Sequence, residues 1–283
     1  MSRKPRIKSG LGHSTADKIF VRGYDLTEEL IGKVPLGDVA FLELKDRLPT
    51  PQESVMFNAL VVTLVEHGLT PSTIAARLTY FGAPEALQAA VAAGLLGMGD
   101  RFGGSIEQAA RTLQEAPSAG DLEKIAGQIV DSHRAAKRII PGLGHPVHKP
   151  ADPRTTRLFA LAAENGFAGR HVELMGRIAE RATEAYGRQL PVNATGAIAA
   201  IASEMEISWR ICRGLPGLIW GQPWPPPFPA STTSRASRAT SRSASTSTSA
   251  CWGFASSRRA STRTCPTRTT STSATTSARR APR

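Results

Sequence analysis

Thr50-Pro-Gln-Glu-Ser-Val-Met-Phe-Asn-Ala-Leu-Val-Val-Thr-Leu-Val-Glu-His-Gly68 is the stretch with the clearest start and stop signals in this chain. Thr50 is a good N-cap residue, Pro51 follows at the first helical position, and Glu53 completes a capping box. Gly68 is the residue type that most often ends a helix. The stretch therefore predicts a long helix that ends beside His67.

The same helix signals recur on both sides of this stretch. A loose alternation over residues 14–24 predicts a short hairpin, and almost everything after it has helical periodicity. Glycine and proline mark the turns between helices predicted at 72–80, 85–96, 105–114, 122–138, 153–164, 172–186 and 195–205. We therefore expect an all-α protein.

The charge is unevenly distributed along the 283 residues. Residues 1–215 hold 25 Lys plus Arg against 23 Asp plus Glu, so most of the net charge of +12 comes from ten arginines after Leu215. A nearly balanced charge is typical of a solvated enzyme surface and does not call for nucleic acid as a partner. No signal peptide or membrane span is visible. Three cysteines without CxxC spacing indicate neither a disulfide framework nor a metal site, and we expect a cytoplasmic protein.

The last part of the chain, residues 216–283, has a different composition. It lacks acidic residues, and Ser and Thr make up about half of residues 231–283. Such a segment buries too little apolar surface to offset its ordering entropy, so we expect a disordered tail. Arg interspersed with Ser can bind RNA electrostatically. The composition also fits a GC-rich gene that is translated in a shifted frame from about residue 215–222.

Two loop segments carry candidate chemistry, and each has a simpler interpretation. The segment 94–105 contains Gly-Asp-Arg-Phe-Gly-Gly, but no strand precedes it and no Lys-Ser/Thr follows, which argues against a phosphate loop. The segment 140–154 contains His145 and His148, but Pro146 argues against a helical pair of metal ligands. We expect no metal site.

Three motifs together resemble the citrate synthase superfamily, closest to its citryl-CoA lyase branch and the lyase module of ATP-citrate lyase. They are the helix that ends at His67, the Gly-Asp-Arg-Phe-Gly-Gly loop, and Gly-Leu-Gly-His-Pro-Val-His-Lys-Pro-Ala-Asp-Pro-Arg154. The resemblance implies that His67 is an active-site histidine and that His145 contacts the oxaloacetate-derived half of the substrate. It also implies that Arg154 holds a substrate carboxylate. Imidazole and guanidinium donors suit this task because the reaction develops an oxyanion or enolate.

The remaining site candidates follow from the same resemblance. Gly144 and Asn193 match residues around the substrate, and Phe102 stands where ordinary citrate synthases have a histidine. Arg213 matches the start of the arginine-bearing late helix, which makes it a second candidate carboxylate ligand, although the family's ligand can also lie a turn or two later.

Thr195 departs from the family pattern, because it stands where the family has its catalytic Asp. A neutral hydroxyl is not a general base, and loss of such a base typically costs about 10²- to 10⁴-fold in rate. Glu66 or a water bound to His145 can act as the base instead. Alternatively, Thr195 binds the substrate and takes no part in proton transfer.

The resemblance implies a fold and a partner as well. It implies a citrate synthase-like domain over residues 1–215, with a small helical subdomain at about 106–195 and the rest in a large one, and a homodimer. The implied activity makes or cleaves the C–C bond between acetyl-CoA and an oxaloacetate-like keto acid, with citryl-CoA as the joined form. The CoA thioester is then a substrate, and no tightly bound cofactor is expected. Two alternatives remain: a pseudoenzyme of the same fold that binds CoA esters or dicarboxylates, and a nucleic-acid-associated protein that acts through the Arg/Ser tail.

Overall fold

The computed structural model describes residues 10–65 and 68–220, and these residues are mainly helical. An antiparallel three-stranded sheet comes first, in the order β1 (Gly12–Ser14), β2 (Ile19–Val21), β3 (Tyr24–Asp25), and a single π-helical turn, Leu26–Leu30, follows it. The helices are α1 (Leu36–Lys45), α2 (Pro51–Thr63), α3 (Pro71–Gly82), α4 (Leu87–Leu96), α5 (Gly104–Gln114), α6 (Leu122–Ala135), α7 (Pro153–Glu164), α8 (Arg170–Tyr186), α9 (Ala194–Glu204), α10 (Trp209–Cys212) and α11 (Gly214–Trp220). The all-α class predicted from the sequence is confirmed.

Helix α9 is the centre of the core. Every residue of it from Gly196 to Ser203 is buried, because α2, α5, α7, α8 and α10 all pack against it. Its small alanine side chains let these neighbours approach closely, and Ile198 and Ile201 fill the space between them. The first turn of α9 is thereby held in a fixed position, and two candidate site residues lie in or next to that turn.

The helix ends follow local chemistry. The capping box predicted at the start of α2 is present, with Glu53 N donating to the Thr50 hydroxyl and Thr50 N donating to the Glu53 carboxylate. Helix α6 ends at Ala135, earlier than the predicted residue 138, and Lys137 after it has a left-handed φ of 51°. A left-handed residue cannot continue a right-handed helix.

Other boundaries differ from the sequence predictions. Helix α9 begins at Ala194 with Asn193 as its cap, one residue before the predicted start. Helix α1, which no strong signal announced, begins after Pro35 without a side-chain cap. Helix α11 continues to Trp220, past the predicted boundary at 215, because Pro216 lies in the first turn of that helix, where a missing N–H costs nothing.

Several predictions are not tested by this fold. The division into a large and a small subdomain stays a prediction. The tail from residue 221 onward lies outside the described residues. Within residues 10–65 and 68–220, each helix is too short or too polar to cross a lipid bilayer.

Candidate active site

The loop that carries His145 is fastened to the segment that leads into α9. Gly144 N donates to the Pro191 carbonyl over 2.7 Å, and Asn193 N donates to the Gly142 carbonyl over 2.9 Å. Gly142 and Gly144 have φ angles of 87° and 76°, in the region that favours glycine. The two glycines of the motif therefore let the loop turn back against α9.

A second close approach explains the glycine at position 196. A Cβ atom on Gly196 would collide with the Gly142 carbonyl oxygen, and one on Gly142 would lie 2.7 Å from the Gly196 Cα. The loop and the helix thus meet backbone to backbone. This contact places His145 and Thr195 on segments that are fixed relative to each other.

The ring of His145 is oriented by its own loop. Its Nδ1 accepts hydrogen bonds from the backbone N–H groups of Val147, over 3.2 Å, and His148, over 3.0 Å. The two imidazole rings are stacked, with centroids 4.4 Å apart. Because Nδ1 acts as an acceptor, the proton of the neutral ring lies on Nε2. In this tautomer Nε2 carries the proton, and an N–H donor of this kind can stabilise an oxyanion.

Asn193 connects the two sides of the site. Its Nδ2 donates to the Gly144 carbonyl over 2.8 Å, and its Oδ1 accepts from the Gly196 N–H over 3.1 Å. The Thr195 hydroxyl donates to the same Oδ1 over 2.7 Å. Thr195 thus gives its only proton to Asn193 and can offer a substrate only the lone pairs of its oxygen.

Arg154 lies at the start of α7, next to this junction. Its guanidinium forms a bidentate ion pair with Asp152, with Nε to Oδ1 at 3.0 Å and Nη2 to Oδ2 at 2.8 Å. Thr155, one residue later, donates to the Val192 carbonyl over 3.0 Å. The candidate carboxylate ligand is therefore held against the segment that precedes α9.

A basic cavity of about 690 Å³ opens beside the His145 loop. Gly144, His145 and Pro146 line one side of it, and Ile140, Leu143 and Leu190 line its apolar wall. The lining also includes five cations, namely Arg134, Lys137, Arg138, Lys149 and Arg188. Within the described part of the chain none of these five forms an ion pair with a carboxylate, so the cavity is suited to an anion.

Sequence reasoning missed this cavity. The signal was present as four cations within residues 134–149, but the fifth, Arg188, comes from the end of α8 and no local pattern connects it to the others. The near-neutral charge of residues 1–215 also concealed a local excess of positive charge.

Phe102 and Arg213 belong to a different group of contacts. Arg213 donates from Nε to Glu107 over 2.6 Å and from Nη2 to Asp100 over 2.7 Å. Phe102 lies between Asp100 and Glu107 in the chain, and its N–H donates to the Gly99 carbonyl. This arrangement shows Arg213 bound to carboxylates of its own chain and packed on the start of α5.

Two candidates cannot be placed in this geometry. His67, and Glu66 as the alternative base, lie outside the described residues.

Among the described residues no three His, Cys, Asp or Glu side chains are grouped to hold a metal ion. His145 Nδ1 is engaged by backbone N–H groups, which removes one atom of the considered zinc pair. The absence of a metal stays a prediction.

Comparison with known proteins identifies the family. Residues 41–214, more than half of the chain, match the citrate synthase C-terminal domain. The structure of citryl-CoA lyase from Hydrogenobacter thermophilus superposes with a TM-score of 0.67 at 34% identity, over 84% of this chain and 96% of that one. ATP-citrate lyase from Methanothrix soehngenii, solved with citrate and coenzyme A, shares the fold with a TM-score of 0.66 at 24% identity, over 78% of this chain and 38% of that one.

Curated relatives agree with these structures. A probable ATP-citrate synthase of Dictyostelium discoideum is 30% identical over 161 residues, which is 56% of this chain. The match covers 25% of that relative, so the matched part of this chain corresponds to about a quarter of the longer protein. The matched domain, the superposed lyase and the loop geometry agree with one another: this chain belongs to the citrate synthase family.

Proposed function

We propose that this chain cleaves citryl-CoA, or a closely related β-hydroxy CoA thioester, to acetyl-CoA and a keto acid, or runs the reverse condensation. The observation that carries the proposal is the basic cavity, which opens directly onto the loop that orients His145. A CoA ester carries its phosphates and its thioester at opposite ends of one molecule, so an enzyme that acts on it needs an anion site within reach of the reacting carbonyl. The basic cavity beside the His145 loop supports the proposal for this reason.

The reaction can be written with these residues. In cleavage, the hydroxyl of citryl-CoA gives its proton to a base, for which Glu66 and a water bound to His145 are the candidates. The C–C bond breaks to leave a ketone on the oxaloacetate half, and the bond electrons form the enolate of acetyl-CoA. The protonated base then gives a proton to the CH₂ carbon to make the methyl group. His145 Nε2–H stabilises the oxygen on the oxaloacetate half, and Arg154 binds one of its carboxylates. His67 keeps the part that the resemblance assigns to it, as an active-site histidine that acts as a polarising donor.

The positive charges that line the cavity favour coenzyme A as the group that carries the acyl chain. CoA has a diphosphate and a 3′-phosphate, and the cavity offers five cations together with apolar wall residues. We expect CoA binding to weaken with salt and to weaken further when the 3′-phosphate is removed.

Calorimetric titration of the purified chain with CoA and dephospho-CoA tests this part. Arg188→Ala should weaken CoA binding about tenfold, as is usual for loss of a phosphate contact. Arg181→Ala is the matched control, because Arg181 lies in the last turns of α8, close to Arg188 in the chain, but is paired with Glu123 and Glu184. Equal dissociation constants for the wild type, Arg188→Ala and dephospho-CoA would contradict a CoA site in this cavity.

The second candidate function is a CoA-ester-binding protein without turnover. The position of the family's catalytic Asp is occupied by Thr195, whose hydroxyl proton is given to Asn193. This favours binding over proton transfer. Binding of CoA without release of oxaloacetate from citryl-CoA would select this candidate. A nucleic-acid role would depend on the tail, which lies outside the described residues, and it stays a prediction.

A homodimer is part of the proposal, and an exposed apolar face of α3, with further exposed leucines on α4, supports it. Ile74, Leu78 and Phe81 share one face of α3, and Phe81 is 89% exposed. Leu87, Leu95 and Leu96 are exposed on the neighbouring helix α4, and Leu96 reaches 88%. Several large exposed apolar side chains on two neighbouring helices favour an interface. The occupant that we infer is a second copy of this chain.

Light scattering coupled to gel filtration tests the dimer. The wild type should elute with twice the mass of the 30.1 kDa chain, and Phe81→Glu should elute with the mass of one chain. The control is Leu36→Glu, which places the same charge on another exposed leucine outside this face. A monomeric wild type would contradict the proposal.

A further inference from the structure

Asp152 is the most completely buried carboxylate beside the candidate site. Its side chain has no exposed surface, whereas that of its partner Arg154 is 33% exposed. Burying a carboxylate is costly unless hydrogen bonds and a counter-charge compensate it. Each oxygen of Asp152 therefore has to be accounted for.

Both oxygens have partners, and Oδ2 has them on two different helices. Oδ1 accepts from the backbone N–H and from Nε of Arg154, each over 3.0 Å. Oδ2 accepts from Arg154 Nη2 over 2.8 Å and from the backbone N–H of Ala194 over 3.3 Å. Asp152 thus joins the first turn of α7 to the first turn of α9, where Thr195 follows Ala194.

The charge state agrees with this geometry. Burial by itself would raise the pKa of Asp152, but the hydrogen bonds and positive charge of Arg154 outweigh it, and the pKa is lowered. Asp152 is therefore ionised at neutral pH and forms a charge-assisted pair with Arg154.

The pair leaves Arg154 with one usable edge. A guanidinium has five N–H groups, and Asp152 takes that of Nε and one of Nη2. The remaining edge consists of Nη1 and the other N–H of Nη2. Two parallel N–H groups at one edge match a single carboxylate.

Capping alone does not require this arrangement. Asp121 caps α6 with one hydrogen bond, from Glu123 N over 2.9 Å, and it is exposed. A cap needs one oxygen, and Asp152 Oδ1 already supplies it. Oδ2 is used for the guanidinium and for α9, which indicates a second role.

We propose that Asp152 is a positioning residue that fixes the direction of the outer edge of Arg154 and fastens it to the start of α9, so that Arg154 binds one substrate carboxylate beside Thr195 and Asn193. The inference rests on the proposed function, because it presumes that Arg154 binds a substrate carboxylate. Asp152 itself does not touch the substrate. Its effect should appear in the affinity for the carboxylate-bearing half and not in the affinity for CoA.

Asp152→Asn in the full chain tests the inference, since Asn keeps the N-cap oxygen and removes the charge. Calorimetry with citrate and separately with CoA should show citrate binding weakened about tenfold or more and CoA binding changed less than about twofold. Asp121→Asn is the control, because it makes the same change at an N-cap without an arginine partner. Circular dichroism checks that both variants are folded, and Asp152→Ser, which also keeps a capping oxygen, replaces Asp152→Asn if that variant unfolds.

A double-mutant cycle separates positioning from a merely structural role. In an Arg154→Ala background, Asp152→Asn should weaken citrate binding no further. The inference is overturned if Asp152→Asn weakens citrate no more than Asp121→Asn does, if it weakens CoA equally, or if its effect persists without Arg154. Failure of the proposed function is distinguishable, because the wild type would then bind neither CoA nor citrate.

Discussion

The Asn193 side-chain amide donates to the Gly144 carbonyl over 2.8 Å, and this bond connects the cap of α9 to the residue before His145. The same side chain accepts from Thr195 and Gly196. Helix α9 is the most buried helix of the core, so its cap is a rigid support for the loop. The donor direction of His145 therefore depends on a residue that need not touch the substrate.

Asn193→Ala should loosen that connection. It removes the N-cap of α9 and the bond to Gly144, and we expect a loss of about 1–2 kcal/mol in the free energy of unfolding. Turnover should fall as well, because the His145 loop loses one of its fixed contacts with α9. The control is Asn165→Ala, whose amide donates only to the Leu161 carbonyl of its own helix. An equal effect of both changes on turnover would contradict the connection.

Thr195→Asp restores a carboxylate at the family's catalytic position. That position lies in the first turn of α9, where the helix dipole stabilises a negative charge. If the missing base limits the reaction, citryl-CoA turnover should rise by on the order of 10²-fold. Thr195→Asn is the control, since the Asn side chain has nearly the same shape as that of Asp but cannot act as a base. Unchanged turnover in Thr195→Asp would mean that another group already carries the proton.

Arg213→Ala distinguishes a structural arginine from a substrate ligand. The structure pairs Arg213 with Asp100 and Glu107, so its loss should lower the free energy of unfolding by roughly 1–2 kcal/mol, because the pair is partly exposed. The melting temperature should then fall by about 2–4 °C for each kcal/mol. Arg210→Ala is the control, because it removes another arginine of the same segment, one that lies over the ring of Trp209. An unchanged melting temperature with weakened citrate binding would favour the ligand role that the resemblance implies.

Glu53 should make the free energy of unfolding depend on pH in the acid range. The hydrogen bonds from Arg47 lower the pKa of Glu53 from 4.5 to about 2, against the opposing effect of burial. Because this folded-state pKa is depressed, the stabilisation is complete above pH 4.5 and is lost as the pH falls through about 2.

Urea denaturation of Glu53→Gln checks this dependence. At pH 7 the variant should lose about 1–2 kcal/mol, a range that allows for the half-exposed Arg47, and the difference from the wild type should shrink between pH 4.5 and 2. Glu115→Gln, which removes an exposed pair with Arg111, should show almost no difference at any pH. A difference for Glu53→Gln that stays constant with pH would contradict the assignment.

The fold could be predicted to a large extent from the sequence because its signals are local. Thr50, Pro51 and Glu53 fix the start of α2, and the glycines and prolines between helices mark most other ends. The errors occurred where the deciding feature is a backbone angle or a weak cap. Lys137 ends α6 early through its left-handed φ, and α1 has no side-chain cap to announce it.

The candidate site could be predicted only in part. The motif around His145 and Arg154 is contiguous, so the resemblance found it. The hydrogen bonds from Asn193 to Gly144, from Ala194 to Asp152 and from Arg213 to Asp100 join residues that are 42 to 113 positions apart. No spacing rule reveals such contacts, nor does it reveal the burial of Asp152. The basic cavity likewise combines the ends of α6 and α8 with the His145 loop.

Citryl-CoA cleavage by the purified full chain tests the central claim most directly, with the released oxaloacetate followed through malate dehydrogenase and NADH. The wild type should turn over, and His145→Ala should lower the rate by on the order of 10²-fold, since it removes the Nε2–H donor. His13→Ala, a change of the same kind in β1, should match the wild type. Turnover that is equal in the wild type and in His145→Ala, or no turnover by a folded wild type, would contradict the account.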